Sequence, residues 1–467
     1  MPMTPEEFRD EAHRMVDWMA DYLRDVGRHP VVPSRAPGTV RRSLPTTPPA
    51  VAEPFGRLTA DFQELILPGM THWGHPGFFA YFPAGRSPES LLAEMLTTSL
   101  GAQCMSWQTS PAATELEQVV MDWLRQMLQL PPGFTGVIQD TASTATLVAL
   151  ITARDRAAAP HERLTVYASS EAHSSVAKGA RLAGFRTEHL RLVPTDEQYA
   201  MRPEALAAML EADVSAGLVP AAIVGTVGTT ASTGMDPLPR LADLAERHGA
   251  WLHVDAAYAG SAAIVPELRP MLDGVERADS FLMNPHKWLA VHFDCTAYYV
   301  RDVPALLRSF SAAPEYLRTA HDAEVVNFRD WGIQLGRRFR ALKLWFVIRS
   351  HGVAGLQALI LGHIEMAQGF ARRVAATPGW ELMAPVPLAL VCFRHRPKGL
   401  PDGPAVDAHN RDLLHRVNAS GRVFLTHAML DGRYAIRLAL GHSGTTQGAV
   451  DEAWELLVGE SRTTGKP

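Results

Sequence analysis

The chain is 467 residues long, 47% apolar and 20% charged, with a formal charge of −5 at neutral pH. These values fit a folded globular protein with a large core and exclude a disordered or fibrous chain. The negative balance and the scattered arginines give no electrostatic footprint for nucleic acid, and the Arg41-Arg42 pair reads as solvated surface.

At roughly 100–200 residues per domain, two or three substructures are expected. Cys104, Cys295 and Cys392 lie far apart without metal-ligand spacing, so no disulfide framework and no metal site is predicted, and a reducing cytoplasm fits. No run approaches the ~18 apolar residues that span a bilayer. The acidic start Thr4-Pro5-Glu6-Glu7 is unlike a signal peptide, so a cytoplasmic protein without membrane contact is expected.

Thr4 with Glu7 has the form of a capping box, with Pro5 at the first helical position. Phe8, Ala12, Met15, Val16, Met19, Tyr22 and Leu23 follow at helical spacing as one apolar stripe that needs a partner. Pro30 to Pro54 carries seven prolines in 25 residues, which predicts an extended connector without regular helix, either a flexible linker or an arm wrapping another subunit. From about Phe79 short β-rich runs alternate with helical segments: Leu164–Ser169, Ala221–Thr226 and Trp251–Val254 as strands, Pro239–His248 as a helix. That alternation predicts an α/β unit with a largely parallel sheet, whose ligands sit at the carboxyl ends of strands. The polar residues after those ends are Thr141, Ser143, His173, Thr229 and Asp255. From about Trp345 a smaller mixed segment follows, with strands near Ala389–Phe393 and Tyr434–Leu440. The expected organisation is a helical N-terminal segment over 1–86, a large domain over 87–344 and a small α+β domain over 345–467.

The most informative run is Ser280-Phe281-Leu282-Met283-Asn284-Pro285-His286-Lys287-Trp288, a lysine among apolar neighbours after a β-like stretch. Desolvation lowers an amine's pKa and favours its neutral, nucleophilic form, the property a Schiff-base lysine requires. A lone lysine of this kind reads as surface beside a core tryptophan, so the reading rests on what accompanies it. Asp255 stands at a strand end 32 residues earlier, followed by small residues that leave room for a flat ring. Such a carboxylate either keeps a pyridine nitrogen protonated or simply caps a helix. Asp140-Thr141-Ala142-Ser143-Thr144 precedes a helical run, so its amides suit a phosphate, or form an ordinary N-cap. His173 stacks on a planar group or sits in the core.

Taken together, these runs resemble the group II pyridoxal-phosphate decarboxylases, most closely the aromatic L-amino-acid decarboxylases of the aspartate-aminotransferase-like fold (fold type I). The likeness extends over Thr71-His72-Trp73, Phe78 to Pro83, Ser110 to Glu117, the Asp255 and Lys287 runs, and Leu335 to Arg340. It implies pyridoxal phosphate held covalently by Lys287, Asp255 paired with its ring nitrogen, His173 stacked on one face and Ala257 packed on the other. Thr141, Ala142, Ser143 and Asn284 correspond to the phosphate-binding region, Thr229 to a residue near the ring oxygen, and His286 to one touching substrate. Trp73, Tyr81 and Phe82 correspond to the substrate pocket. The resemblance further implies a small-molecule amino-acid substrate and a homodimer with its sites at the interface, which would cover the N-terminal stripe. It assigns proton delivery to a tyrosine on a loop, here Tyr316 within residues 309–330; aldehyde-forming relatives have phenylalanine there, so Tyr316 favours simple decarboxylation to the amine.

The chain departs from the family pattern at Asp140, where a carboxylate beside phosphate would repel it, so Asp140 is expected to turn away as a cap. Gln103 and Met105 replace apolar or aromatic substrate-pocket positions, and Arg86 is read as structural or solvated rather than facing a carboxylate. Three functions are weighed. The first is decarboxylation, with an aromatic substrate preferred over a branched or acidic one. The second is an aldehyde-forming or aminotransferase activity on the same cofactor. The third is cofactor binding without turnover.

Overall fold

The computed structural model describes residues 3–82, 84–311, 321 and 324–462. The N-terminal capping box forms as the sequence dictates: Glu7 N donates to Thr4 Oγ1 at 3.2 Å and Thr4 N donates to Glu7 Oε2 at 2.8 Å, starting the helix Pro5–Asp25. No residue of that helix is buried and Phe8 is 63% exposed, so its apolar stripe stays largely open in the single chain. The proline-rich connector differs from expectation at one place. Thr39–Ser43 forms a short helix in the gap between Pro37 and Pro45, entered through Gly38 at φ 83°, a conformation that glycine adopts without strain.

The large sheet contains β1 (Thr135–Gln139), β2 (Leu164–Ser169), β3 (Leu190–Val193), β4 (Val219–Thr226), β5 (Trp251–Asp255), β6 (Ser280–Met283) and β7 (Thr296–Val300) in the order β1-β7-β6-β5-β4-β2-β3. β7 alone in this sheet runs against its neighbours; the remaining pairings are parallel. β2, β5, β6 and β7 are buried along their whole length, as strands covered on both faces must be. One face packs Val224 and Trp251 under the helix Ala142–Arg156, and the other packs Ile223, Leu252 and Val254 with the helix Leu238–His248. The carboxyl ends of β1, β2, β4, β5 and β6 therefore share one edge.

The small sheet holds β8 (Trp380–Leu382), β9 (Leu390–His395), β10 (Thr426–Leu430) and β11 (Arg433–Ala439), ordered β10-β11-β9-β8 and antiparallel. The N-terminal segment joins it: Phe79 N donates to Phe424 O at 2.9 Å, and Ala439 N donates to Phe79 O at 3.0 Å. The expected boundary at residues 344/345 falls inside the helix Ala341–Ala376. This helix is long and apolar enough to cross a membrane by length and composition, which the charge-interrupted sequence did not suggest. Gly352 (φ 62°, ψ 169°) breaks it into two pieces, and its apolar side packs on the helices Pro88–Leu100 and Pro111–Met127 and on the small sheet, burying Leu344, Val347, Leu356 and Phe370.

Candidate active site

Each strand end on the shared edge delivers one chemical group. β5 ends at Asp255, 3% exposed, whose Oδ1 accepts from Ala257 N at 3.0 Å. β6 runs into Asn284 and the single turn Pro285–Trp288, which carries His286 and Lys287. Asn284 is fixed by Thr296 Oγ1, which donates to its Oδ1 at 2.8 Å. β1 leads to Thr141, which caps the helix Ala142–Arg156 by accepting from Thr144 N. After β2 comes His173, which caps the helix Ser174–Leu182.

These residues enclose a cavity of about 210 Å³ lined by Ala142, Ser143, His173, Asp255, Asn284 and Lys287, with Thr141, Ala257 and His286 also in its wall. Lys287 has no hydrogen-bond or ion-pair partner among the described residues; its Nζ lies 5.5 Å from the centroid of the Phe82 ring. Burial lowers its pKa while the Asp255 carboxylate opposes the shift, so the neutral amine forms more readily than on an exposed lysine. Burial likewise lowers His173, against the pull of Asp255 and with Lys287 adding to the fall. Because His173 Nδ1 accepts from Ser175 N at 3.2 Å, the neutral ring carries its proton on Nε2. His286 is pushed down to about 4, first by burial and then by Lys287, and its Nδ1 is anchored on the Cys295 backbone, 2.7 Å from the carbonyl oxygen and 2.9 Å from the amide nitrogen.

Behind the lysine stands a stack of rings. Phe82 lies on Tyr258 with centroids 3.8 Å apart, and Tyr258 lies on Trp288 at 4.6 Å. This stack ties the N-terminal segment to the turn that bears Lys287 and limits the freedom of the amine. A wider opening of about 540 Å³ adjoins the cavity through Phe82, His173, Thr230 and Lys287 and is walled by Tyr81, Phe424 and Arg437.

Other predicted residues stand elsewhere. Thr229 faces away: its Oγ1 accepts from Gly234 N at 2.9 Å and holds a turn, while Thr230 lines the cavity. Trp73, 43% exposed, stacks on Tyr81 at 5.8 Å and borders neither space. Gln103 Oε1 accepts from Arg337 N at 2.6 Å and Met105 O accepts from Arg329 N at 2.8 Å, so neither reaches its own chain's cavity. Asp140 turns aside as expected, bonded to Thr141 N and Gln334 Nε2, although the cap itself is Thr141. Arg86 is packed against Gly74, with its guanidinium 5.6 Å from the Tyr22 ring, and does not line the cavity. Tyr316 lies outside the described residues. Sequence reasoning missed Thr226, Phe293 and Arg437. Only Arg437 left a signal, as a cation inside the apolar run Ala435-Ile436-Arg437-Leu438-Ala439.

The profile of the "Pyridoxal-dependent decarboxylase conserved domain" matches residues 37–396. The chain belongs to the pyridoxal-dependent decarboxylase family. It is 44% identical to tryptophan decarboxylase 2 of Oryza sativa subsp. japonica, over 98% of this chain and 95% of that protein. It is 43% identical to phenylacetaldehyde synthase of Arabidopsis thaliana, over 98% and 97%. Among solved structures, Oryza sativa TDC with PLP and tryptamine superposes with a TM-score of 0.97 at 40% identity, covering 100% of both chains. The fold is thus that of the fold type I decarboxylases.

The cavity fits the family's cofactor on its own chemistry. Lys287, unpaired among the described residues, offers an amine for an aldehyde. One oxygen of Asp255 is already used by Ala257 N, which leaves the other for a ring N–H. Ala142 and Ser143 begin a 15-residue helix, where amides lack intrahelical acceptors and favour phosphate. Thr226 is also in the cavity wall, and its Oγ1 is buried without a partner among the described residues. When bound, pyridoxal phosphate supplies a protonated ring that accepts the electron pair left by departing carbon dioxide.

Proposed function

We propose that this chain removes the carboxylate of an aromatic L-amino acid, using pyridoxal phosphate and releasing the amine and carbon dioxide. One observation carries the reading: in a member of this family, Lys287 and Asp255 face one enclosed cavity whose outer opening is walled by Tyr81, Phe82 and Phe424, rings suited to an aromatic side chain. Names of relatives such as tryptophan decarboxylase and tyrosine decarboxylase support the substrate class. The neutral His173 holds an Nε2–H donor for the substrate, and the ring stack behind Lys287 fixes where the amine is exchanged. The test is to incubate the loaded protein with each standard amino acid and to measure carbon dioxide, amine, aldehyde and hydrogen peroxide. Amine with carbon dioxide from tryptophan, tyrosine or phenylalanine is expected, and turnover confined to aliphatic or acidic substrates refutes the reading.

The second reading is aldehyde formation, favoured by the likeness to phenylacetaldehyde synthase. Tyr316 weighs against it, in the role the family resemblance assigns to that position as proton donor to the alpha carbon. Tyr316→Phe is expected to shift product toward aldehyde, ammonia and hydrogen peroxide, with dioxygen and water consumed. Amine as the sole product at the normal rate would remove Tyr316 from that role.

The reading includes a cytoplasmic homodimer. The open stripe of the helix Pro5–Asp25 and the helix Pro88–Leu100 together line an apolar groove of about 890 Å³, with Phe8, Met15, Val16, Leu91 and Met95 in its walls. An exposed surface of that kind marks an interface. Phe8→Asp with Met15→Asp is expected to yield monomers with little activity in sedimentation and turnover assays; an unchanged dimer would exclude this face. The three cysteines are free and buried, in keeping with a reducing compartment.

A further inference from the structure

The β4 side of the cavity is held from outside by one carboxylate. Asp236 is 3% exposed and follows Thr226 by ten residues, across the loop 227–235. Its Oδ2 accepts from Thr226 N and its Oδ1 from Met201 N, each at 2.7 Å, and its own amide donates to Thr226 O at 2.9 Å. Burial pushes its pKa up to about 7 against the pull of those two amides. An asparagine would offer one acceptor and turn its NH₂ toward the second amide, so the position needs both carboxylate oxygens.

Those bonds join the two ends of a loop that is stiff in itself. Gly228 N and Thr229 N both donate to Gly234 O, at 2.9 and 3.0 Å, and Gly234 N donates to Thr229 Oγ1. Gly228 has φ +83°, and a Cβ there would meet Ala259 Cβ at 2.6 Å, so the loop is seated tightly on the segment following Asp255. Val227 N donates to Asp255 O at 2.9 Å. Thr226, Gly228 and Thr230 line the cavity, and Thr230 O accepts from Arg437 at 2.7 Å. Asp236 does not line it. A body that is rigid inside and bonded at both ends moves only if its ends part.

We propose that Asp236 is a positioning residue of the cofactor site, clamping both ends of the loop 227–235 so that Thr226, Gly228 and Thr230 form a fixed wall opposite Lys287. The inference rests on the pyridoxal phosphate reading. Cofactor-free wild type, Asp236→Asn and Asp213→Asn are titrated with pyridoxal phosphate, and their thermal unfolding is followed. Asp236→Asn is expected to unfold cooperatively yet to bind about tenfold more weakly or worse, the loss expected from a buried amide without an acceptor. Asp213 is buried on the helix Pro203–Ser215 and bonded to Tyr167 and Arg191 away from the cavity, so its variant should lose stability and keep affinity. Equal affinity of Asp236→Asn and wild type overturns the clamp. Should the variant not fold, hydrogen exchange on wild type decides: amides of 226–236 and Met201 must slow together when cofactor is added, and unchanged exchange overturns the proposal. A wild type that binds no pyridoxal phosphate would instead refute the cofactor reading.

Discussion

Lys287→Ala is expected to abolish covalent capture of pyridoxal phosphate and to lower turnover by at least about a thousandfold, the scale seen when one member of a catalytic unit is removed. The argument starts from placement. Lys287 sits on a one-turn helix after β6, its Nζ 5.5 Å from the Phe82 ring centroid of the Phe82–Tyr258–Trp288 stack, and among the described residues it is the one lysine lining either the cavity or its opening. Burial lowers its pKa, so the uncharged amine is populated at lower pH than on an exposed lysine. Borohydride reduction followed by peptide mass mapping checks this: wild type should carry a pyridoxyl group on Lys287 and the variant none. Lys178 is the informative alternative, because its charge is felt at His173. A label found there, or near-normal turnover of Lys287→Ala, would overturn the assignment. The variant should still bind cofactor without a covalent bond, because Asp255 and the start of the helix Ala142–Arg156 are untouched.

The same residues show what could be read from the sequence and why. The capping box at Thr4, the strand Leu164–Ser169 and the strand ending at Asp255 follow from local rules, namely a side chain bonding three residues on and apolar runs bounded by polar ones. That Asp255 and Lys287 face the same place was legible because the carboxyl ends of neighbouring parallel strands must share an edge. The choice between Thr229 and Thr230 was not. Both follow Gly228, and which of the two lines the cavity depends on the bond from Gly234 N to Thr229 Oγ1, a detail of loop closure that no spacing records. Gln103, Met105 and Trp73 stayed illegible for a different reason. Their place depends on long-range packing, in which Arg337 and Arg329 hold the 103–105 segment and Tyr81 holds Trp73. The short helix at Thr39–Ser43 was hidden by counting prolines over the whole connector, when what mattered was the gap between two of them.

Asp255→Ala is expected to slow turnover by roughly a hundredfold or more. Removing one partner of a buried ion pair costs about 3–5 kcal/mol, and each ~1.4 kcal/mol is tenfold in rate, so a pairing with the ring nitrogen expressed in the transition state gives at least that factor. The structure adds a second, opposite effect that separates this cause from simple unfolding. Both Lys287 and His173 have pKa values lowered by burial, and in both Asp255 is the charge that raises them back. Without it each falls further, so in the cofactor-free variant the Lys287 amine should be more reactive toward an acylating probe at a given pH than in wild type. Catalysis falls while amine reactivity rises. A variant that lost its packing would not show both while retaining cooperative unfolding, and one with near-normal turnover would remove Asp255 from the chemistry. Asp255→Asn refines the comparison: an amide oxygen keeps the bond from Ala257 N, now 3.0 Å long, but the charge is gone. It should match the alanine variant in turnover if charge is what the ring requires, and recover most of the rate if the carboxylate acts only as a hydrogen-bond acceptor holding the segment after β5.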